Sequence, residues 1–213
     1  MDNSVAWFNL KLMETAAKAL TKHGFDVIIV DTKEQARDKI LEIINPEATV
    51  GIPGTATIRE IGLVDALQAR GNTVYHHWQK FETKEDEFQI RRSENNSDFL
   101  VSSSNAVTLD GALINIDGSG NRVAGQIFGP RHSIVVAGVN KLALNVAEGL
   151  VRAKNDAAPP NAHRLESKTP CATTGLCNDC DSPGRICRVT TIIERRPSRT
   201  QFTIVLVGEA LGY

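Results

Sequence analysis

Short apolar runs alternate with amphipathic, capped stretches along the first half of this chain, and that alternation limits the folds open to it more than any other feature. Val5, Phe8, Leu12, Ala16 and Leu20 recur at helical spacing from Ser4 to His23, with Gly24 placed to stop the helix. "FDVIIVD" follows as a buried strand, then Thr32 and Gln35 form a capping-box pair that opens a helix to about Ile44, ended by Pro46. "ATVGIP" reads as a second strand. "GTATIREIGLVDALQARG" reads as loop and helix, with Thr57 and Glu60 at capping-box spacing, and "NTVYHHW" reads as a third strand. Strand and helix in turn imply a parallel sheet covered by helices, an α/β domain.

Farther along, residues 80–96 read as a solvated charged helix, "DFLVSSS", "GALINIDG" and "SIVVAGV" as further strands, and residues 141–154 as a helix. "NDAAPPNAHRLESKTP" has the composition of a linker. "VTTIIE" and "FTIVLVGE" close the chain as late strands whose antiparallel look suggests an added hairpin. With 213 residues and no internal repeat, a single domain over 1–213 is expected, carrying a cysteine-rich loop at 170–188.

Charge and hydropathy narrow the partners. Formal net charge is −1 with Lys and Arg dispersed, so no nucleic-acid footprint is present. The apolar runs are strand-sized, far below the length of a membrane-crossing helix. The first twenty residues lack the sections of a signal peptide, which points to a cytoplasmic protein.

All four cysteines fall in one window as C-x5-C-x2-C-x6-C, at Cys171, Cys177, Cys180 and Cys187. A C-x2-C pair sets two thiolates on one side of a metal, and Gly175, Asp179, Pro183 and Gly184 supply bends. In a reducing compartment ligation of zinc or an iron–sulfur cluster is the favoured reading, beside reduced structural thiols and a disulfide knot. The spacing matches neither ferredoxin pattern.

Two stretches carry ligand chemistry. In "GIPGTAT" glycine lets backbone approach a ligand and a helix start offers free N–H groups, so Gly54 and Thr55 are candidates for holding an anion. The glycine-rich block from Ser102 to Lys141 adds Asn105, Asn115, Asp117 and Asn121, with Arg122 and Arg131 as anion receptors. "IDGSGN" also has hairpin-turn chemistry. His76 and His77 end a strand and read as satisfied or exposed side chains, and no G-x-S-x-G nucleophile elbow occurs.

Together, "NAVTLDGALINIDGSGNRVAGQIFGP", "AAPPNAHRL", "TGLCNDCDSPGRIC" and the closing "VGEALGY" resemble the lactate-utilisation (LUD) domain family, in its short single-domain form. The resemblance covers most of the chain. It implies a three-layer α/β/α sandwich similar to the phosphosugar-isomerase and CoA-transferase fold. It also implies a part in cytosolic oxidation of L-lactate or a similar small hydroxy acid, beside iron–sulfur oxidoreductase subunits. The ferredoxin-type cysteine runs of longer members are missing here. The alternative is an isomerase-like or transferase-like enzyme that binds a small anion or phosphorylated metabolite, its cysteine loop being structural. The expected partners are therefore a small carboxylate or phosphorylated metabolite, redox subunits, and further copies of the chain.

Overall fold

The computed structural model describes residues 3–213. An N-terminal helix, α1 (Asn3–Lys22), leads into β1 (Asp26–Val30), α2 (Lys33–Ile43) and β2 (Thr49–Ile52). Two short helices, α3 (Ala56–Glu60) and α4 (Leu63–Ala69), precede β3 (Thr73–His76), α5 (Lys84–Asn95) and β4 (Phe99–Ser102). Next come β5 (Ala106–Thr108), β6 (Leu113–Asp117), α6 (Asn121–Ile127), β7 (His132–Gly138) and β8 (Leu142–Ala143). The chain ends with α7 (Val146–Arg152), α8 (Ala158–Arg164), α9 (Pro170–Thr174), β9 (Val189–Ile193) and β10 (Gln201–Val207).

The main sheet runs β1-β10-β7-β4-β2-β3 and every pairing in it is parallel. Its central strands read as continuous apolar runs because both faces are covered. Ile134, Val136, Val205 and Val207 point into a core shared with α2, α3 and α4. Val135, Ala137, Phe202, Ile204 and Leu206 point the other way, against Met13, Ala16 and Leu20 of α1. A four-stranded sheet, β8-β5-β6-β9, joins α1 on this second face through Val107, Leu113 and Ile193. Helices, sheet, and helix with small sheet make the three layers of an α/β/α sandwich.

The two closing strands do not form a hairpin. β10 slides between β1 and β7 in the main sheet, and β9 pairs with β6 in the small one. The expected linker is also helical: a π-turn at Ala153–Ala157 runs into α8, where Ala158, Pro159 and Ala162 are buried. Proline is tolerated there because the first helical turn needs no N–H donor. "IDGSGN" is a strand-to-helix turn, with Gly120 at φ 83° opening α6 and Asp117 accepting from Val123 N at 3.1 Å. The Thr32–Gln35 capping box forms as expected. The Thr57–Glu60 pair does not, because the helix already starts at Ala56 and a lysine takes the Thr57 hydroxyl.

One glycine fixes how α5 sits. A Cβ on Gly51, in β2, would collide with the backbone carbonyl of Glu94 near the end of α5. Gly51→Ala is therefore expected to destabilise the fold by roughly 1–3 kcal/mol through overpacking, measured as a lower urea midpoint; an unchanged midpoint would contradict this packing.

Candidate functional site

Parallel strands deliver their carboxyl ends to one edge, and a crevice of about 480 Å³ opens there. Gly54 and Thr55 follow β2, His77 and Trp78 follow β3, and Ser103, Ser104 and Asn105 follow β4. Asp117, Asn121 and Arg122 arrive from the end of β6, and Lys141 follows β7. The volume suits a small metabolite.

Lys141 is the most perturbed group. Its side chain is buried, and Nζ donates to Thr57 Oγ1 and Ser103 Oγ, both at 2.9 Å. Burial first, then the charges of Arg152 and Arg122, push its pKa down to about 7, against a weaker pull from Glu60. The amine is thus shared between its charged and free-base forms near neutral pH, a condition suited to proton transfer.

His77 carries a second proton-handling group. Nδ1–H donates to Glu94 Oε1 at 2.7 Å, and Glu94 is fully buried, with Asn121 Nδ2 donating to Oε2 at 3.3 Å. The imidazole turns its Nε2 edge to Gly54, whose positive φ and missing Cβ leave room for the ring. A buried carboxylate orienting an imidazole is the arrangement of a general acid–base. At the residue after His77, Arg59 lies 5.2 Å over the Trp78 ring.

Arg122 sits in the crevice wall, but its donors turn inward. Nε reaches Asp117 Oδ1 at 3.0 Å, Nη1 reaches Ser103 O and Asn115 Oδ1, and Nη2 reaches Asn105 Oδ1, Ile116 O and Asp117 Oδ1. Every N–H has a protein acceptor, which makes this guanidinium a brace rather than an open anion receptor. Asn115 is buried behind the wall as one of those acceptors. Arg131 lies just before the amino end of β7, on the order of 20 Å along the strand from Lys141. It is exposed and stands away from the crevice. Gly54, Thr55, Asn105, Asp117, Asn121 and Arg122 are brought together; Asn115 lies beneath them, and Arg131 is elsewhere.

Arg91 is a cation open to a ligand. Nη2 donates to Glu87 Oε1 at 2.7 Å, while Nη1 is buried without a partner, as is the hydroxyl of Ser104, and both residues line the crevice. Buried polar atoms left unpaired are costly and mark where a ligand's oxygens would fit. Sequence spacing gave no hint of Arg91, and it could not pair His77 with Glu94 across seventeen residues.

The cysteines are free thiols, with Cys171 buried and the other three half-buried. All four border one small void beside the crevice. Burial and the neighbouring Cys177 hold the Cys187 thiol above its ordinary pKa. Among the described residues no group of three or more His, Cys, Asp or Glu side chains is gathered for metal binding.

The parallel sheet covered by helices, with a crevice at its carboxyl edge, defines an α/β/α domain. The LUD domain family model matches residues 13–207, and the chain belongs to that family. A solved DUF162 family protein from Deinococcus radiodurans shares the fold, with a TM-score of 0.56 at 12% identity over 94% of this chain and 98% of that one. No curated protein matches the chain. No described helix is long and apolar enough to cross a membrane.

The two arginines should behave differently on substitution. Arg122→Met strands the buried Asp117 carboxylate and is expected to cost about 3–5 kcal/mol of stability. Arg91→Gln removes only a partly exposed pair with Glu87 and should stay within about 1 kcal/mol of the parent. Urea denaturation of both variants checks this, and equal losses would contradict the assignment.

Proposed function

We propose that this LUD-family chain takes part in the cytosolic use of L-lactate or a similar small hydroxy acid, as a subunit of an iron–sulfur redox system. The observation that carries this reading is the convergence of a buried unpaired Arg91 Nη1, the His77–Glu94 pair and a near-neutral Lys141 on one metabolite-sized crevice. A carboxylate is held by Arg91 and the Ser104 hydroxyl, a pairing of charge with directed hydrogen bonds. Oxidation of a 2-hydroxy acid to its 2-keto acid removes the hydroxyl proton and a C2 hydrogen with two electrons. His77, steadied by Glu94, takes the hydroxyl proton, and Lys141 donates hydrogen bonds to the oxygen that remains. The C2 hydrogen leaves with both electrons as a hydride, to a hydride-accepting organic redox centre on a partner subunit.

A second reading has its own support. Arg164 lines the same crevice as Arg91, and two guanidinium groups suit a phosphate dianion. On that reading the domain is an isomerase-like or transferase-like enzyme for a phosphorylated metabolite, and its proton-handling groups need no redox partner.

Calorimetric titration with L-lactate, pyruvate and a sugar phosphate separates the two. Saturable binding of L-lactate or pyruvate is expected, weakened about ten-fold or more in Arg91→Gln through loss of a charged hydrogen bond. Tight sugar-phosphate binding with no response to either carboxylate moves the assignment to the second reading, and no binding by any of the three defeats both.

A further inference from the structure

Residues 175–188, between α9 and β9, contain no helix or strand, and Leu176 is exposed, so little apolar packing holds the segment. What organises it instead is a small void ringed by sulfur. Cys171 enters from the first turns of α9, with Thr169 Oγ1 3.4 Å from its Sγ. Cys177 and Cys180 flank a two-residue turn in which Asp179 adopts φ 49°, a left-handed conformation that aspartate tolerates better than most side chains. Cys187 closes the ring from the far end of the loop. Arg185 ties the loop across itself, Nε donating to Cys187 O at 2.7 Å and Nη1 to Cys180 O.

We propose that Cys171, Cys177, Cys180 and Cys187 are the ligands of a single soft divalent cation, zinc or iron(II), held as a tetrathiolate site. Size argues for one ion rather than a cluster. The void measures about 20 Å³, room for roughly one water-sized sphere, and a cluster of several irons with inorganic sulfides is far larger. Charge argues for a cation at the centre. Lys154 and Arg185 also line the void, and both donate to Asp179 Oδ1, at 3.2 and 2.8 Å. Four thiolates and the Asp179 carboxylate carry five negative charges, which a dication with Lys154 and Arg185 reduces to about one, the outer contacts fixing the loop.

In the metal-free chain no three of these side chains are yet gathered around a point. A cation displaces the thiol protons and draws the sulfurs in to about 2.3 Å from itself, so folding of the loop and binding of the metal are one event. Cys187, Ile186 and Ala158 border both the void and the crevice, so the ion also fixes one crevice wall. The site stands independently of what the crevice binds.

The test adds Co²⁺ to the reduced, metal-free chain under argon. Expected are saturation at one equivalent, intense thiolate-to-cobalt absorption and the visible bands of a tetrahedral site. Zinc should displace the cobalt and shield all four thiols from a thiol-reactive dye. Cys177→Ser and Cys180→Ser should each weaken binding by more than the roughly ten-fold that loss of an outer contact costs. Octahedral cobalt spectra, or thiols that react as fast with zinc as without, overturn the proposal. So does an anaerobic preparation holding several irons per chain with inorganic sulfide. Thiol shielding is read on the unaltered chain, so it decides the matter even where a serine variant fails to fold.

Discussion

A half-buried guanidinium with no donor left over, that of Arg122, is the interaction on which the crevice depends. It gathers the end of β4 through Ser103 O, the start of β5 through Asn105, and β6 through Asn115, Ile116 and Asp117. Asn105 is shared twice more, its side chain accepting from Ile116 N at 2.8 Å and its carbonyl accepting from Arg152 Nη1. The large and small sheets are thereby locked at one corner. Apart from Asn115 Nδ2, which lacks a partner, the groups of this network are paired, and any slip would leave a charge unpaired. Asp117 extends the lock by holding the first turn of α6.

That rigidity has an electrostatic consequence. Arg122 and Arg152 place two fixed positive charges near Lys141, and burial removes the water that would otherwise favour its ammonium form. The lowered pKa is therefore a product of the architecture. A bound anion would relieve the same repulsion. Positive charge that is braced internally and an amine made easy to deprotonate support the small-acid reading proposed for the crevice. Opposite, the missing Cβ at Gly51 lets α5 sit close against β2, so that Glu94 lies behind His77.

Much of the architecture could be read from residues alone because central strands buried on both faces give unbroken apolar runs. "SIVVAG" and "FTIVLV" announced themselves that way, although their partners did not. β10 joins the middle of the sheet because parallel pairing is decided by distant crossovers rather than by neighbouring sequence, and the three-residue β5 is too short for any period to show. Within the site, Arg122 and Arg131 look alike in sequence, both set among glycines. One follows the carboxyl end of β6, and the other precedes the amino end of β7. Which end of a strand a residue occupies decides whether it can meet a ligand. Six of the expected ligand-binding positions do line the crevice, whereas Lys141 was visible only as one polar residue in a dense block, its burial unforeseen.

The ionisation of Lys141 is the most direct measure of whether the crevice is built for a small anion. Carbon-13 NMR of the lysine Cε signals, followed against pH, should show one amine titrating near 7 and disappearing in Lys141→Met. Adding L-lactate or pyruvate should raise that value, because a nearby negative charge favours the ammonium form. Lysines that all titrate in the ordinary range near 10.4, or a low value unmoved by carboxylate and phosphate alike, would contradict the account.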